Sequence, residues 1–210
     1  MSFKMLELFS GSGIMSKTFK EHGWETCSID IDARMHPDLD ADIGVLTPQD
    51  IHDLMDGFPD VIWSSPPCEC FSVASMGHHW ISSRTPRTEG AKAMMKLHEH
   101  ALRLIIDLHP RYWFIENPRA MLRKMSWMQG LPRYTITFCQ YGEHRMKPTD
   151  IWTNHPLPQF KPMCKNGDPC HDEARRGAKT GTQGIKGAYA RGMLPIRLCE
   201  HIVEICEVKK

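Results

Sequence analysis

Short apolar runs alternate with helical patterns through the first part of the chain, and the turns between them are rich in glycine and acid. An apolar run at Leu6–Phe9 ends in Ser10-Gly11-Ser12-Gly13, and apolar positions at helical spacing follow over Met15–His22. A second strand-like run, Thr26–Ile29, ends at Asp30. This succession of strand, glycine turn, helix, strand and acid predicts the opening of a doubly wound α/β sheet.

The rest of the chain continues this alternation and then loses it. We predict strands at Asp60–Ser65, Tyr112–Ile115 and Tyr134–Cys139, a long helix over Gly90–Leu108 and a closing helix over Pro195–Val208. Residues 154–187 are poor in apolar side chains and rich in Gly, Pro, Lys and Arg, which predicts a long loop or a small excursion. The expected organisation is a core over residues 1–155, a short basic insert with Cys and His over 156–187, and a C-terminal helix over 188–210 that completes the core.

The composition is that of an ordinary globular protein. Hydrophobic residues make up 41% and charged residues 24% of the 210 residues, which argues against disorder and fibrous repeats. No apolar run approaches the roughly 20 residues that a membrane span requires, and the first residues do not resemble a signal peptide. We therefore expect a cytoplasmic protein without a membrane partner. Its eight cysteines are then core residues, a nucleophile or metal ligands rather than disulfides.

The net charge of +1 hides an asymmetry along the sequence. Residues 1–60 carry 4 Lys/Arg and 12 Asp/Glu (net −8), residues 61–160 carry 12 and 7 (net +5), and residues 161–210 carry 10 and 6 (net +4). The basic later part is suited to a polyanionic partner. Uneven surface charge without any partner explains the same counts equally well.

Three groups of polar residues directly follow predicted strands. The first is the turn Phe9–Gly13 together with Asp30, the second is Cys68 behind Pro66-Pro67, and the third is Glu116. Ligands bind at the carboxyl ends of the strands in open α/β sheets, so these groups are expected to share one site. The third glycine of the dinucleotide fingerprint is missing, which favours a nucleoside-containing ligand. Each feature also has a structural explanation, because cysteines are often simply buried and a lone strand-end Glu is often solvated.

Taken in this order, the motifs resemble those of the DNA cytosine-5 methyltransferase family, which methylates carbon 5 of cytosine from S-adenosylmethionine. The matching segments are Leu8–Gly13, Asp30-Ile31-Asp32, Asp42-Ile43, Pro67-Cys68 with Phe71-Ser72, Glu116-Asn117, and Tyr141-Gly142 followed by Arg145 and Lys147. The likeness covers residues 6 to about 155 and, more faintly, 184–206. It implies a Rossmann-like methyltransferase sheet with a small irregular insert. It also implies S-adenosylmethionine as cofactor, held by Phe9, Ser10, Gly11, Ser12, Gly13, Asp30, Ile31, Asp42, Ile43 and Pro66.

The resemblance further implies the catalytic residues Cys68, Glu116, Arg145 and Lys147. The Cys68 thiolate is expected to add to carbon 6 of a cytosine flipped out of double-stranded DNA, which makes carbon 5 nucleophilic. Glu116 is expected to bind the ring nitrogen and the amino group, and this role requires a raised pKa. Arg145 or Lys147 is expected to hold the base carbonyl or nearby phosphates. Residues 73–90 either close over the DNA as a mobile loop or form a structured surface loop.

The sequence departs from the family pattern at three motifs. Pro118 follows Glu116-Asn117 where valine is usual, which alters the loop and leaves Glu116 in place. Thr149 stands where the basic strand usually has an arginine, so this position receives no role. Arg191–Pro195 occupies the approximate place of a closing motif that cannot be recognised.

The largest departure from the family is in length. Only about 30 residues, Asn154–Gly184, are available for target recognition. Since one good bidentate base contact contributes ~1–3 kcal/mol of discrimination, we expect a short or relaxed recognition site of about two to four base pairs. The compact form suggests a phage or prophage origin in a restriction–modification context. We expect a monomer in the cytoplasm of a bacterium or a phage-infected host.

The insert carries candidate metal ligands among basic residues. Cys164, Cys170 and His171 suggest a zinc knuckle with a fourth ligand from Cys139 or Asp172, and loop residues without a metal are the alternative. The surrounding basic side chains are suited either to phosphate contact or to plain solvation: Lys161, Lys165, Arg175, Arg176, Lys179 and Lys186.

Three other functions stay open. Ser65-Pro66-Pro67 resembles the motif of methyltransferases that modify an exocyclic amine, although Cys68 replaces the usual aromatic residue. A relative that methylates RNA would share the motifs found here. A DNA-binding protein that has lost catalysis would keep the fold, but the intact Cys68, Glu116 and cofactor loop argue against it.

Overall fold

The computed structural model describes residues 2–82, 85–173 and 185–207. The strands are β1 (Lys4–Leu8), β2 (Glu25–Asp30), β3 (Leu39–Asp40), β4 (Val61–Ser64), β5 (Trp80–Ser82), β6 (Thr85–Pro86), β7 (Tyr112–Pro118), β8 (Arg133–Thr137) and β9 (Pro148–Thr153). The helices are α1 (Ile14–Glu21), α2 (Pro48–Met55), α3 (Met76–His79), α4 (Glu89–Asp107), α5 (Ala188–Gly192) and α6 (Ile196–Glu207).

Seven strands form one sheet in the order β3-β2-β1-β4-β7-β9-β8, and β5 and β6 form a separate antiparallel pair. The five strands from β3 to β7 are parallel, whereas β9 runs antiparallel to both β7 and β8. The predicted α/β fold is therefore confirmed, and the sheet is Rossmann-like. Because β9 is reversed, its first residues lie beside the carboxyl end of β7, where Glu116 is found.

The central strands send alternate side chains to the two faces of the sheet. In β1, Leu6 and Leu8 belong to a buried cluster with residues of α2 and α4. Met5 belongs to a second cluster with Phe19 of α1 and Ile202 of α6. Helices therefore cover both faces, as buried parallel strands require. The C-terminal helix α6 packs on the same face of the sheet as α1.

Helix α2 is an element that the apolar pattern does not predict, because only Ile51 and Met55 of its eight residues are buried. Instead, capping hydrogen bonds determine where the helix begins. The Thr47 hydroxyl accepts a hydrogen bond from the Asp50 amide (3.3 Å), and the Asp50 carboxylate accepts one from the Thr47 amide (2.8 Å). Pro48 occupies the first turn, where its missing N–H costs nothing.

Strand β8 ends at Thr137, two residues earlier than its alternating pattern predicts. Phe138–Tyr141 forms a 3-10 turn instead, and it ends at Gly142, whose φ is 90°. The Phe138 amide donates to the Met146 carbonyl (3.0 Å), which closes the loop between β8 and β9. The turn takes Cys139 out of the sheet and brings it against Cys164.

Residues 154–173 form neither helix nor strand, in agreement with an irregular insert. Lys161, Lys165 and Lys186 are exposed, whereas the phosphate contacts predicted at Arg175, Arg176 and Lys179 lie outside the described residues. Across residues 2–82, 85–173 and 185–207, none of the helices has the length and apolar character needed to cross a membrane.

Candidate active site

The turn after β1 leaves its backbone accessible at the carboxyl edge of the sheet. Phe9, Gly11 and Gly13 have φ values of 57°, 49° and 63°. A Cβ at Gly11 or Gly13 would meet no atom within 4 Å, so these glycines border open space in which a ligand can approach the backbone. The Asp30 carboxylate accepts hydrogen bonds from the amides of Gly11 (2.8 Å) and Asp32 (2.9 Å), which fixes the turn against the end of β2.

The remaining predicted cofactor residues divide between the surface and the core. Ile31 is 69% exposed at the end of β2 and offers an apolar face to a ligand. The Asp42 carboxylate accepts a hydrogen bond from the Gly44 amide (2.8 Å) at an exposed position. Ile43 is only 2% exposed and packs in the core, so it can contribute to a cofactor site only through its backbone.

An open cleft lies beside the glycine turn. The cleft is lined by predicted residues of the turn and by several that the sequence analysis did not assign to the cofactor: Glu7, Ile14, Ser65, Tyr189, Gly192, Met193 and Leu194. Helix α5 and the residues after it therefore supply one wall of the cleft, in the part of the chain where the family's closing motif cannot be recognised.

Glu7 is the unexpected ionisable group of this cleft. It is 2% exposed, and its Oε2 accepts a hydrogen bond from the Ser16 amide (2.8 Å) in the first turn of α1. Burial raises the pKa of Glu7 to about 7, although the hydrogen bonds from Ser16 oppose the rise. The available signal was an acid inside an otherwise apolar strand, because carboxylates are rarely fully buried without a specific partner.

Cys68 lies in a turn that is fastened to the end of β7. The side chain of Asn117 is fully buried, and its Nδ2 donates to the Pro66 carbonyl (2.9 Å), 51 residues away in sequence. The Cys68 carbonyl accepts hydrogen bonds from the amides of Phe71 (3.0 Å) and Ser72 (2.9 Å), which closes the turn. The two motifs predicted to form the catalytic site are thus joined directly.

Glu116 and Lys147 form a buried pair of opposite charges. Nζ of Lys147 lies 3.9 Å from Oε1 of Glu116, and the two side chains are 9% and 7% exposed. Oε1 of Glu116 has no hydrogen-bond partner among the described residues. Burial raises the pKa of Glu116, the direction expected from the sequence, although Lys147 opposes the shift. Burial also lowers the pKa of Lys147, and Glu116 opposes that shift.

The Cys68 thiol belongs to the same electrostatic environment. Burial raises its pKa above the ordinary value, the charge of Glu116 adds to the rise, and the Lys147 ammonium group opposes it. The protonated thiol is therefore the resting form of Cys68. Formation of the thiolate that the sequence analysis expects is opposed by the burial of Cys68 and favoured by the positive charge of Lys147.

Of the two cations that the sequence offers for the base carbonyl or nearby phosphates, Arg145 has its guanidinium occupied by other partners. It is 1% exposed, and its Nε and Nη2 donate to the Glu143 carboxylate (2.5 and 3.2 Å). Nη1 and Nη2 also donate to the carbonyls of Ala190, Arg191 and Met193 (3.4, 3.3 and 3.1 Å). Arg145 therefore fastens the loop before β9 to the residues around the end of α5. We assign it a positioning role.

Lys147 is the cation that this loop brings to the pocket. Its φ is 22°, and its Nζ donates to the Arg191 carbonyl (3.1 Å) and lies 4.3 Å from the centroid of the Phe138 ring. Thr149, where the family pattern has an arginine, is fully buried, and its hydroxyl donates to the Lys147 carbonyl (3.2 Å).

The segment after Cys68 is folded onto the core. It contains the short helix α3 and the β5–β6 pair. Trp80 is 5% exposed, its Nε1 donates to the Cys70 carbonyl (2.6 Å), and its ring lies 5.3 Å from that of Phe71. Through Trp80, the described part of residues 73–90 packs on the core, as a structured surface loop would. Closure of the segment over DNA stays a prediction.

The predicted metal ligands converge next to the β8–β9 loop. Cys164, Cys170 and His171 join Cys139 in a group whose ligand atoms all lie within 4.8 Å of one another. Of the two candidates for a fourth ligand, Cys139 is therefore the one brought to the group. The amide of Asp172 instead donates to the His144 carbonyl (2.9 Å).

The sequence model of C-5 cytosine-specific DNA methylases matches residues 3–139. The chain belongs to the C-5 cytosine-specific DNA methylase family. The matched range contains the glycine turn, Cys68 and Glu116, and it ends before Lys147.

A viral protein of similar size is related to this chain along its whole length. It is 24% identical over 221 aligned residues to a frog virus 3 (isolate Goorha) protein named as a probable DNA (cytosine-5)-methyltransferase. The alignment covers 97% of this chain and 100% of the viral protein, so the compact size recurs in that relative. A phage origin and a restriction–modification context stay predictions.

Solved structures share the fold of this chain. A protein encoded within an E. coli prophage, described as a DNA modification methyltransferase, superposes with a TM-score of 0.54 at 18% identity over 72% of this chain and 46% of that one. The Entamoeba histolytica methyltransferase EhMeth gives 0.53 at 12% identity over 79% and 57%. S. pombe Dnmt2 gives 0.51 at 17% identity over 73% and 49%. The chain thus spans about half the length of these solved chains.

Proposed function

We propose that this family member is a DNA (cytosine-5)-methyltransferase that uses S-adenosylmethionine and acts through Cys68. The observation that carries the proposal is the grouping of Cys68, Glu116 and Lys147 at neighbouring strand ends, at the edge of the sheet that also carries the glycine turn. Methylation of carbon 5 needs a nucleophile for carbon 6 and a proton donor for the ring. Membership of the family gives independent support.

Cys68 and Glu116 divide the work on the cytosine ring. Sγ of Cys68 gives up its proton to solvent and forms a bond to carbon 6, the electrons of the C5–C6 double bond make carbon 5 nucleophilic, and N3 takes a proton from Glu116. The neutral form of Glu116, which burial favours, is the form that can donate this proton. After carbon 5 has gained the methyl group, it loses its proton to a base, and N3 returns its proton to the Glu116 carboxylate. The S–C6 bond then breaks with its electron pair on sulfur, which restores the C5–C6 double bond of the ring and the thiolate.

Lys147 supports both groups electrostatically. Its ammonium group lowers the pKa of Cys68 and therefore favours the thiolate that attacks. The same group lies 3.9 Å from Oε1 of Glu116, so it stabilises the carboxylate left after proton donation. Arg145 acts on this arrangement indirectly, because it holds the loop that carries Lys147.

The cleft beside β1 fits S-adenosylmethionine, which when bound supplies an electrophilic methyl group on a sulfonium ion. Asp30 would accept hydrogen bonds from the ribose hydroxyls with the lone pairs that its two backbone contacts leave free. Ile31, which is 69% exposed, would cover the adenine ring. Glu7, with a pKa of about 7, would place negative charge near the cationic part of the cofactor. Pro66 would border the methyl group.

Double-stranded DNA is the proposed substrate, with the target cytosine flipped into the pocket because its carbons 5 and 6 are inaccessible in the duplex. Exposed Lys161, Lys165 and Lys186 are suited to phosphate contacts. The insert is too short for many base contacts, so a recognition site of about two to four base pairs is expected. The protein is proposed to act as a monomer in the cytoplasm.

Transfer of tritiated methyl groups to unmethylated duplex DNA, followed by base analysis, tests the proposal. We expect 5-methylcytosine from the wild type, none from Cys68→Ser, and retained activity in Cys70→Ser, in which a buried thiol two residues away is replaced. N4-methylcytosine or N6-methyladenine would contradict the proposal. Preference for transfer RNA over duplex DNA in a parallel reaction would instead identify RNA as the substrate. A folded protein inactive on both would indicate a binding protein.

A further inference from the structure

Four metal-binding side chains meet outside the proposed active site. Cys139 comes from the 3-10 turn after β8, and Cys164, Cys170 and His171 come from residues 154–173. Sγ of Cys139 lies 3.2 Å from Sγ of Cys164 and 3.6 Å from Sγ of Cys170. Nδ1 of His171 lies 3.6 Å from Sγ of Cys164 and 3.4 Å from Sγ of Cys170. Cys139 and Cys164 are buried, and Cys170 and His171 are partly buried.

These separations are close to the edges of a zinc tetrahedron. A tetrahedral site with Zn–S bonds of ~2.3 Å and Zn–N bonds of ~2.0–2.1 Å has S···S edges of about 3.8 Å and S···N edges of about 3.5 Å. The two S···N distances given above match within about 0.1 Å, and the two S···S distances are shorter by about 0.2–0.6 Å. The remaining two pairs of ligand atoms lie within 4.8 Å of each other. A disulfide would need an S–S distance of ~2.05 Å, and the three cysteines are free thiols. We propose that Cys139, Cys164, Cys170 and His171 form a structural zinc site.

The chemistry of the donors favours zinc over other common ions. Three thiolates and one imidazole are the soft and borderline ligands of closed, four-coordinate structural sites, whereas magnesium and calcium prefer oxygen. Neighbouring donors are directed at the sulfurs. The Thr137 hydroxyl lies 3.4 Å from Sγ of Cys164, and Nε2 of Gln140 lies 3.5 Å from Sγ of Cys170. Such contacts stabilise thiolates that are bound to a metal.

The backbone around the ligands is held in place by its own hydrogen bonds. The Cys164 amide donates to the Thr137 hydroxyl (3.2 Å), which joins the insert to the end of β8. A turn between Cys164 and Cys170 is closed by the Lys165 amide, which donates to the Asp168 carboxylate (2.7 Å). Two ligands separated by this turn therefore point at one centre.

The proposed zinc site would hold residues 154–173 against the core. Residues 154–173 have no helix or strand, and their side chains Leu157 and Met163 are 69% and 41% exposed, so apolar burial holds the segment weakly. A metal bound to three residues of this segment and to Cys139 of the core replaces the missing packing. The Asp172 amide donates to the His144 carbonyl (2.9 Å), so the same clamp steadies the loop that carries Lys147.

Metal analysis of protein purified in reducing buffer tests the proposal. We expect close to one zinc per chain in the wild type and in Cys27→Ser, which replaces a buried cysteine of β2 outside the cluster. Cys139→Ser and Cys164→Ser are expected to lose the zinc. After removal of the metal with a chelator, Co²⁺ is expected to restore one site with the visible bands of tetrahedral thiolate coordination. Proteolysis within residues 154–173 is expected to increase in the metal-free protein.

The cobalt titration uses the wild-type chain and therefore does not depend on the folding of the variants. Wild-type protein without zinc that shows no thiolate-to-cobalt bands would overturn the proposal. Zinc retained by both Cys139→Ser and Cys164→Ser would place the ion elsewhere and would also overturn it. So would a Cys139–Cys164 disulfide as the predominant form in reducing buffer. None of these results depends on methyl transfer.

Discussion

Replacement of Asn117 by alanine tests whether the two catalytic motifs depend on each other. The Asn117 side chain is fully buried, and its Nδ2 donates to the carbonyl of Pro66, two residues before Cys68. The substitution removes the donor and leaves the Pro66 carbonyl without this partner. A lost buried hydrogen bond of this kind costs ~1–3 kcal/mol.

The size of the effect on activity follows from where this energy acts. If the bond stabilises the arrangement in which Cys68 and Glu116 face the same substrate ring, its loss appears in the barrier for methyl transfer. Since about 1.4 kcal/mol corresponds to a factor of ten in rate, kcat is expected to fall about 5- to 150-fold. KM for DNA is expected to change little, because Asn117 is buried and lies outside the proposed DNA surface.

Asn154→Ala is the matched control for this experiment. Oδ1 of Asn154 accepts a hydrogen bond from the Trp113 amide (2.9 Å), and its Nδ2 donates to the Arg111 carbonyl (3.2 Å), at the opposite end of β7. Both variants are assayed for methyl transfer well below the melting temperature of each. Asn154→Ala is expected to lose stability and keep kcat. The reasoning fails if Asn117→Ala keeps kcat, or if the two variants lose kcat equally.

Two further predictions concern ionisable groups. The pKa of Glu7 is about 7 in the folded protein against an ordinary value of 4.5, so its contribution to stability is complete below about pH 4.5 and is lost as the pH rises through 7. Between pH 5 and pH 8, urea unfolding is expected to show that the free energy of unfolding of the wild type falls by roughly 2–3 kcal/mol relative to that of Glu7→Gln. A difference between the two proteins that does not change with pH would contradict this. Lys147→Met should slow methyl transfer and move alkylation of Cys68 by iodoacetamide to higher pH, because Lys147 lowers the pKa of that thiol. Exposed Lys92→Met is the control, and an unchanged alkylation profile for Lys147→Met would be contrary evidence.

The general location of the candidate site could be predicted from the sequence because parallel strands end at a common edge. Cys68 follows β4 and Glu116 lies near the end of β7, and these strands are neighbours in the sheet. The glycine turn follows β1, the other neighbour of β4. Recognition of strand ends was therefore enough to place these groups together without knowledge of any loop.

The cation of the site could not be assigned from the sequence. Arg145 and Lys147 are two residues apart, and their different environments depend on the reversed strand β9 and on carbonyls from around the end of α5. These partners lie more than 40 residues away, in a segment without a recognisable motif. The pattern of neighbouring residues does not show which of two nearby cations will be hydrogen-bonded by a segment that is distant in the sequence.

The fourth ligand of the cysteine cluster shows the same limit at shorter range. The sequence did not decide between Cys139 and Asp172 as the fourth ligand. The alternating pattern predicted that Cys139 lies within a strand, so nothing favoured it over Asp172. The 3-10 turn at Phe138–Tyr141 directs Cys139 toward Cys164, and that turn depends on the positive φ of Gly142 and on a hydrogen bond to Met146. Sequence spacing identified the candidates, and tertiary contacts selected between them.

Covalent trapping on DNA that contains 5-fluorocytosine tests the central claim most directly, because fluorine at carbon 5 blocks the final elimination and preserves the bond to sulfur. With S-adenosylmethionine present, wild type and Cys70→Ser are predicted to form a denaturation-resistant complex whose modified peptide maps to Cys68, and Cys68→Ser is predicted to form none. Methylation of ordinary DNA without a trapped complex, or a complex through another cysteine, would contradict the account.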